Sequence, residues 1–410
     1  MTTIAETTPA TTAIPATPAA VLIANRAELV SALATVGIAI SQRPAVPVLA
    51  GVLLESDGAD VVVRGYDYDT AVSVRLTGAA VAPGRLLVNH AELTKLLKAL
   101  VKGLGKREAD RASVTLRADD GATATVEIAG TTVPLNLLPL EDYPTLPDTP
   151  PLVARVACTE LTAECRRVLR ACGHDDTLPM LTGVKIDPGA DGLTLAATDR
   201  YRIAVAHVGA EVDRERFPAA GILVPGRELG KTLPQFAGDQ VELGYVAHGD
   251  IELVSLAAGA VTVVQRALPA DFPAYDRFLP RSAAATVVVD RAALLRQITR
   301  AAAVLEAKGD RANPVTLTLT DHAVTAAPHL AENSDRVRTP ALSADVDGIT
   351  DPVCVGLTSR YVIDALESFT GQMVTLHITK ATKPVLLTDT PEGIGDPTAY
   401  RHLLMPIRLS

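Results

Sequence analysis

The stretch PVLAGVLLE, Pro47 to Glu55, decides how this chain is read, because it returns as PMLTGVKID at Pro179 to Asp187. Eighteen residues after Leu49 comes Asp67, in VRGYDYDTAV, and eighteen after Leu181 comes Asp199, in LAATDRYRIAV. Two landmarks at equal spacing mark an internal repeat. The match continues through LLVNHAEL (Leu86 to Leu93) and ILVPGREL (Ile222 to Leu229), each a strand end leading into a helix. The two copies close on LPLEDYP (Leu138 to Pro144) and LPADFP (Leu268 to Pro273), each followed by a proline-containing stretch suited to a linker. A third, fainter copy keeps the same order of elements: helix Asp290 to Leu305, the strands of NPVTLTLTDHAVTAAP, helix Thr358 to Phe369, and the strand PVLLTD.

The repeat predicts three domains of about 130 residues each, a size that buries a proper core. They span 21–147, 148–284 and 285–410, behind a Thr/Ala/Pro-rich tail over residues 1–20 that reads as disordered. Alternating strands such as VTLTLT imply sheets with one buried face, and helices should cover that face. The expectation is an α+β fold with antiparallel strands. Trp is absent and aromatics make up only 3% of the chain, so the core must be mostly aliphatic. Cys158, Cys165 and Cys172 recur every seven residues on one helix face beside Leu161 and Val168, which reads as core; zinc spacings are missing, so no metal and no cofactor is assigned. The tail holds no basic residue, so it matches no signal peptide, and no stretch reads as a membrane span; a cytoplasmic location is expected.

A net charge of −9 argues against a protein that coats nucleic acid through its whole surface. Charge nevertheless sorts to one side of four of the six helices the repeat predicts. In Glu92 to Lys106, Lys95, Lys98, Lys102 and Lys106 oppose a leucine-rich face; in Cys158 to Cys172, Arg166, Arg167 and Arg170 oppose Leu161, Cys165, Val168 and Leu169. Arg227 and Lys231 oppose Leu229 and Leu233, and Arg296 and Arg300 oppose Leu294, Leu295, Ile298 and Leu305. Of the other two helices, one places Ser31 and Thr35 opposite its core, and in the other Arg360 competes with Asp364 and Glu367. A single basic face is ordinarily a solvated face. Recurrence across tandem copies instead implies one positive surface on an acidic body, suited to the phosphate backbone through contacts that carry no sequence information and weaken with salt.

The residues RPAVPVLAGVLLE, TLPMLTGV, ATDRYRIAV, LPADFPAY and LLMPIRL, in that order from about Val21 to Leu409, resemble the β subunit of bacterial DNA polymerase III, the sliding clamp. DDTLPMLTG and ATDRYR look closest to actinobacterial members. The resemblance implies a head-to-tail homodimer of six similar domains, with helices lining a hole for duplex DNA and sheets outside. It also implies a pocket between the second and third domains that takes short motifs from the polymerase III α subunit, the clamp loader and other partners. The matching positions are Leu181, Thr198, Tyr201, Arg202, Ile203, Pro225, Leu229, Leu403, Met405, Pro406 and Ile407, although Leu181 and Ile203 also suit plain core. Arg43 matches a DNA-contacting position. Arg200 stands where many clamps carry a small residue, and Ile203 and Ile407 replace the commoner Leu and Met, which implies a pocket of different width. The loop GHDDTLPM is acidic and lacks the aromatics some members use to touch DNA.

Three rival readings compete with a clamp. An enzyme could be imagined around Cys172, His174, Asp175 and Asp176, but no HExxH, P-loop or nucleophile elbow completes it, and GLGK (Gly103 to Lys106) ends a helix instead of following a strand. An accessory clamp copy that binds clamp-interacting peptides or inhibitors, such as a resistance copy, fits the unusual pocket and tail. A DNA-independent repeat scaffold predicts no retention on circular DNA.

Overall fold

The computed structural model describes residues 21–41, 43–79, 82–118, 123–268 and 272–409, so the tail read over residues 1–20 lies outside the described residues. The chain divides into two compact units, one ending at Pro147 and one from Asp148 to Ser410.

The first unit holds two four-stranded antiparallel sheets. Strand Val21–Asn25 pairs with Ser113–Ala118, which leads through Thr123–Ile128 to Thr131–Asn136. Strand Gly51–Ser56 lies between Gly84–Asn89 and Val61–Tyr66, and the latter pairs with Thr70–Leu76. Burial alternates along Val61–Tyr66, as a one-faced sheet requires. Helix α1 (Arg26–Val36) starts where the Asn25 side chain accepts the amides of Ala27 and Glu28, and it buries Leu29, Leu33 and Val36. Thr35, expected opposite the core, is buried instead; its hydroxyl donates to the Ser31 carbonyl, which satisfies the one polar atom that burial threatened.

Helix α2 (His90–Ala99) is capped by Asn89, whose side chain accepts the Glu92 amide at 3.0 Å. The expected single helix from Glu92 to Lys106 is broken after Ala99, because Gly103 takes a left-handed φ of 98° that no helix holds. A short helix α3 (Lys106–Arg111) then follows. Lys106 thus belongs to a different helix from Lys95 and Lys98, and Lys102 lies in the turn between them.

In the second unit, strands Ile222–Pro225, Gly183–Pro188, Gly192–Thr198 and Arg202–Val212 form one antiparallel run. Leu152–Ala157, Gln240–His248, Ile251–Ala258 and Val261–Arg266 form another. The segment beyond residue 272 repeats the plan. Ala285–Asp290 pairs with Met373–Ile378, which continues to Val385–Thr388 and Arg401–Leu404, and Val353–Leu357 joins Val315–Leu319 and Ala323–Pro328. Strand Arg202–Val212 ties the plan together. Its start pairs with Arg401–Leu404 and its end with Leu152–Ala157, so the two repeated segments share continuous hydrogen bonding.

Four helices cover these sheets: α4 (Cys158–Leu169), α5 (Gly226–Thr232), α6 (Arg291–Ala307) and α7 (Ser359–Ser368). Helix α4 ends three residues short of the expected Cys172. Cys158, Cys165 and Cys172 are buried with Leu161 and Val168 in one aliphatic core, while Cys354 is exposed. Burial pushes the Cys172 thiol up to about 12 and the Cys165 thiol higher still, so both stay protonated and packed as small apolar groups.

Candidate functional site

The second landmark of the repeat, Asp199, builds the centre of a cleft. Its carboxylate accepts the amides of Tyr201 at 3.0 Å and Arg202 at 3.1 Å, closing a tight turn between the strands Gly192–Thr198 and Arg202–Val212. Asp67 does the same in the first unit, accepting the amides of Asp69 at 3.1 Å and Thr70 at 2.7 Å. Both turns put one non-glycine residue in the left-handed region, Tyr68 at φ 78° and Arg200 at φ 80°. A side chain there costs on the order of 1 kcal/mol. Thr198 is buried beneath the turn, where its hydroxyl donates to the Arg202 carbonyl at 2.7 Å.

Arg202 is only 2% exposed and lies between two carboxylates, with Nε on Asp199 at 2.9 Å and a terminal nitrogen on Asp364 of α7 at 2.5 Å. A buried charge needs such pairing to be tolerated. Its guanidinium also sits 4.6 Å from the Tyr361 ring centroid, and Tyr361 stacks on Tyr201 at 6.0 Å with 19° between planes. Tyr201 remains 51% exposed. Asp199, Tyr201, Arg202 and Tyr361 line a cleft of about 360 Å³ together with Leu178, Leu181, Arg200 and Arg360.

The opposite face of strand Arg202–Val212 carries an apolar cluster drawn from both repeated segments. Ile203 lies opposite Leu403 in the strand register and packs with Ala196, Val205, Tyr275, Leu279 and Leu386, with Phe272 at its edge. Met405 donates its amide to the Tyr201 carbonyl at 2.8 Å and keeps 38% of its surface exposed. Ile407 is tied to Gly356 by its amide at 2.8 Å, with Pro406 half-buried between these two anchors.

Of the positions expected at this site, Leu181, Tyr201 and Arg202 line the cleft, Thr198 is buried beneath the turn, Ile203 and Leu403 lie in the apolar cluster, and Met405, Pro406 and Ile407 follow it in the chain. Leu229 is 1% exposed inside the main core, where α5 packs. Pro225 precedes α5 and lines a neighbouring hollow with Thr182, Gly226, Arg227 and Leu268. The sequence reading missed Phe272, Tyr275, Phe278 and Leu279, which accompany Ile203 or stand exposed beside its cluster. The signal was present: FPAYDRF concentrates aromatics in a chain with only five phenylalanines. It also missed Tyr361, the partner of Tyr201.

The basic faces divide into two kinds. Lys95, Lys98 and Lys102 in the first unit, and Arg296 and Arg300 on α6, are exposed and make no ion pair among the described residues. Arg166 and Arg43 are likewise exposed. Arg227 and Lys231 are exposed but pair with Asp176 at 3.1 Å and Glu228 at 4.0 Å. Arg167 and Arg170 must be withdrawn from the expected phosphate-facing set. Arg167 is 14% exposed, bonds Glu164 and Asp389 at 3.0 Å each, and lies 3.7 Å over the Tyr400 ring. Arg170 holds Glu367 at 2.6 Å and Asp364 at 3.6 Å. With two carboxylates each, these arginines join the repeated segments of the second unit. The wheel showed where they point, but Asp389, Asp364 and Glu367, more than 190 residues away in sequence, join Glu164 in neutralising them.

Beside this junction His402 is fully buried, one ring nitrogen on the Tyr400 hydroxyl at 2.9 Å and the other without a partner. Burial first, and then the positive charges of Arg202, Arg167 and Arg170, push its imidazole down to about 3.

Comparison with known proteins agrees with this geometry. Models of the DNA polymerase III beta subunit match the chain three times: the N-terminal domain over residues 21–147, the central domain over 155–274 and the C-terminal domain over 276–408. A beta sliding clamp from Streptomyces coelicolor is 29% identical over 389 residues, covering 94% of this chain and 98% of the other. A beta sliding clamp homolog, GriR, from Streptomyces muensis is 26% identical over 388 residues with the same coverage. The solved sliding clamp of Bartonella birtlesii bound to griselimycin shares the fold at a TM-score of 0.79, with 21% identity over 95% of this chain and 100% of the other. Three successive domain matches over nearly all of the described residues, on a chain whose own repeat divides it into copies of one α+β plan, place it in the DNA polymerase III beta subunit family, the beta sliding clamps.

Proposed function

We propose that this protein works as a non-catalytic ring: two copies close head to tail around duplex DNA, slide on it, and tether the polymerase III α subunit, the clamp loader and other motif-bearing proteins. In this reading the domains divide near 147 and 284, and Lys95, Lys98, Lys102, Arg166, Arg227, Lys231, Arg296 and Arg300 face the DNA, with Arg43 beside it. What supports it above all is the set of exposed cations on α2, in the turn after it and on α6 that make no ion pair among the described residues, in a chain of net charge −9. Such cations give weak, mobile phosphate contacts, so topology and not affinity must hold the ring on its track. Among the described residues no helix is long and apolar enough to cross a membrane, which accords with work in the cytoplasm. Partner motifs would enter the cleft beside Tyr201 and Arg202, a concave site with apolar surface and a few polar groups, and the buried cluster around Ile203 and Leu403 backs the strand that carries them.

The test is loading onto a nicked circle by the cognate loader with ATP, then linearisation at high salt. Retention on the circle and release on cutting is the expected result. A second reading, an accessory clamp that binds clamp-interacting peptides or inhibitors without serving as the main replicative clamp, draws support from Arg200 in the cleft lining and from the similarity to GriR. Failure to load with a loader proven on another clamp, with peptide binding intact, would favour it.

A further inference from the structure

The lining of the cleft beside Tyr201 includes two exposed guanidiniums, those of Arg200 and Arg360. Arg200 makes no ion pair among the described residues; its guanidinium lies 5.8 Å from the Tyr201 ring. Arg360 reaches Asp364 only at 4.0 Å, and that carboxylate is already taken by Arg202 at 2.5 Å. The acids on the cleft wall are occupied. Asp199 holds its own turn and Arg202, and Asp175 accepts the Thr177 hydroxyl at 2.6 Å and the Thr177 amide at 3.0 Å; these contacts first, and then the charge of Arg200, hold its carboxyl below the usual range. Leu178 and Leu181 add apolar surface to the same lining.

The backbone adds an independent observation. Arg200 occupies a left-handed φ of 80° that glycine would adopt without strain, so the turn itself gains nothing from a long cationic side chain. The matching turn of the first unit bears the same strain at Tyr68, so the turn sets the conformation, and what distinguishes Arg200 is the charge it brings to the cleft.

We infer that Arg200 and Arg360 make the cleft selective for peptide segments that carry a carboxylate next to an apolar anchor side chain. The inference rests on the peptide-binding reading of the cleft and names the class of segment it prefers. The anchor would lie against Leu178 and Leu181 and the stacked tyrosines, and the carboxylate would pair with the two guanidiniums. A cleft of about 360 Å³ with leucines in its lining suits one or two side chains better than a run of nucleobases.

The experiment selects random octapeptides displayed on phage against the full-length protein and makes the enriched sequences in Asp/Glu and matching Asn/Gln forms. Anisotropy titrations then use the protein, Arg200→Gly, Arg360→Ser and Tyr201→Ala. Arg200→Gly suits the turn and keeps the fold. Acid-containing peptides should dominate the selection and bind roughly five-fold tighter than their amide forms at low salt, the range of exposed ion pairs. That advantage should vanish in Arg200→Gly, shrink in Arg360→Ser and fade at high salt. Peptides that lose affinity in Tyr201→Ala yet show no acid preference would overturn the inference and leave the peptide cleft standing. If no peptide is selected, if Tyr201→Ala leaves binding unchanged, or if oligothymidylate displaces the peptides, both fall.

Discussion

His402 lies inside the protein as a neutral ring, and His377, also buried, has its imidazole pushed down to about 4 by desolvation. An unfolded chain leaves both at about 6.5. As pH falls below that value the unfolded state takes up protons that the folded state refuses, so stability present at neutral pH is lost toward pH 4. By pH 5 each histidine should cost about 2 kcal/mol. Urea unfolding midpoints measured at pH 7.5, 6 and 5 should fall step by step, and a flat profile down to pH 5 would refute the burial argument. Sequence gave no warning of either histidine, since isolation from water comes from strands and arginines far away in the chain. The turn at Asp199, by contrast, was legible through its spacing from Leu181, while Tyr201 and Arg202 were expected at the site only through the family resemblance. The same resemblance put Leu229 at the pocket, whereas its helix face put it with the core, where it packs.

Among the elements, α2 and α4 show that one pattern can have two outcomes. Both carry cations opposite an apolar stripe. On α2 the lysines meet water; on α4, Arg167 and the cap residue Arg170 meet Glu164, Asp389, Asp364 and Glu367. Replacing Lys95, Lys98 and Lys102 by Glu should weaken DNA binding and flatten the dependence of log K on log salt by about 2–3, while Arg167→Gln should leave that slope unchanged. Filter binding across a salt series distinguishes the two. Helix existence and helix faces were readable from periodicity. The break after Ala99 was readable only in part, because a glycine signals that a helix can stop and not where its last turn unwinds.

At the scale of the molecule, strand Arg202–Val212 hydrogen-bonds both repeated segments of the second unit, and Arg202 at its start bridges Asp199 and Asp364. Residues 148–410 should therefore melt in one cooperative calorimetric transition. Arg202→Met leaves two carboxylates facing an apolar side chain and should cost about 2–3 kcal/mol, less than a fully buried pair because Asp364 keeps access to water. The whole transition should shift by several degrees without splitting. Two transitions would mean that the shared strand does not couple the segments. The repeat disclosed that the segments resemble one another; that they share a strand was hidden, since nothing in the short run RHLL announces a partner two hundred residues away.

The distribution of thiols offers a practical route into these experiments. Three of the four cysteines are sealed within the core and Cys354 alone is open to water. A maleimide dye added to the native protein should therefore mark each protomer once, at a known address, with no residue replaced. One dye per chain makes photobleaching steps a direct count of the copies travelling together on a single DNA molecule.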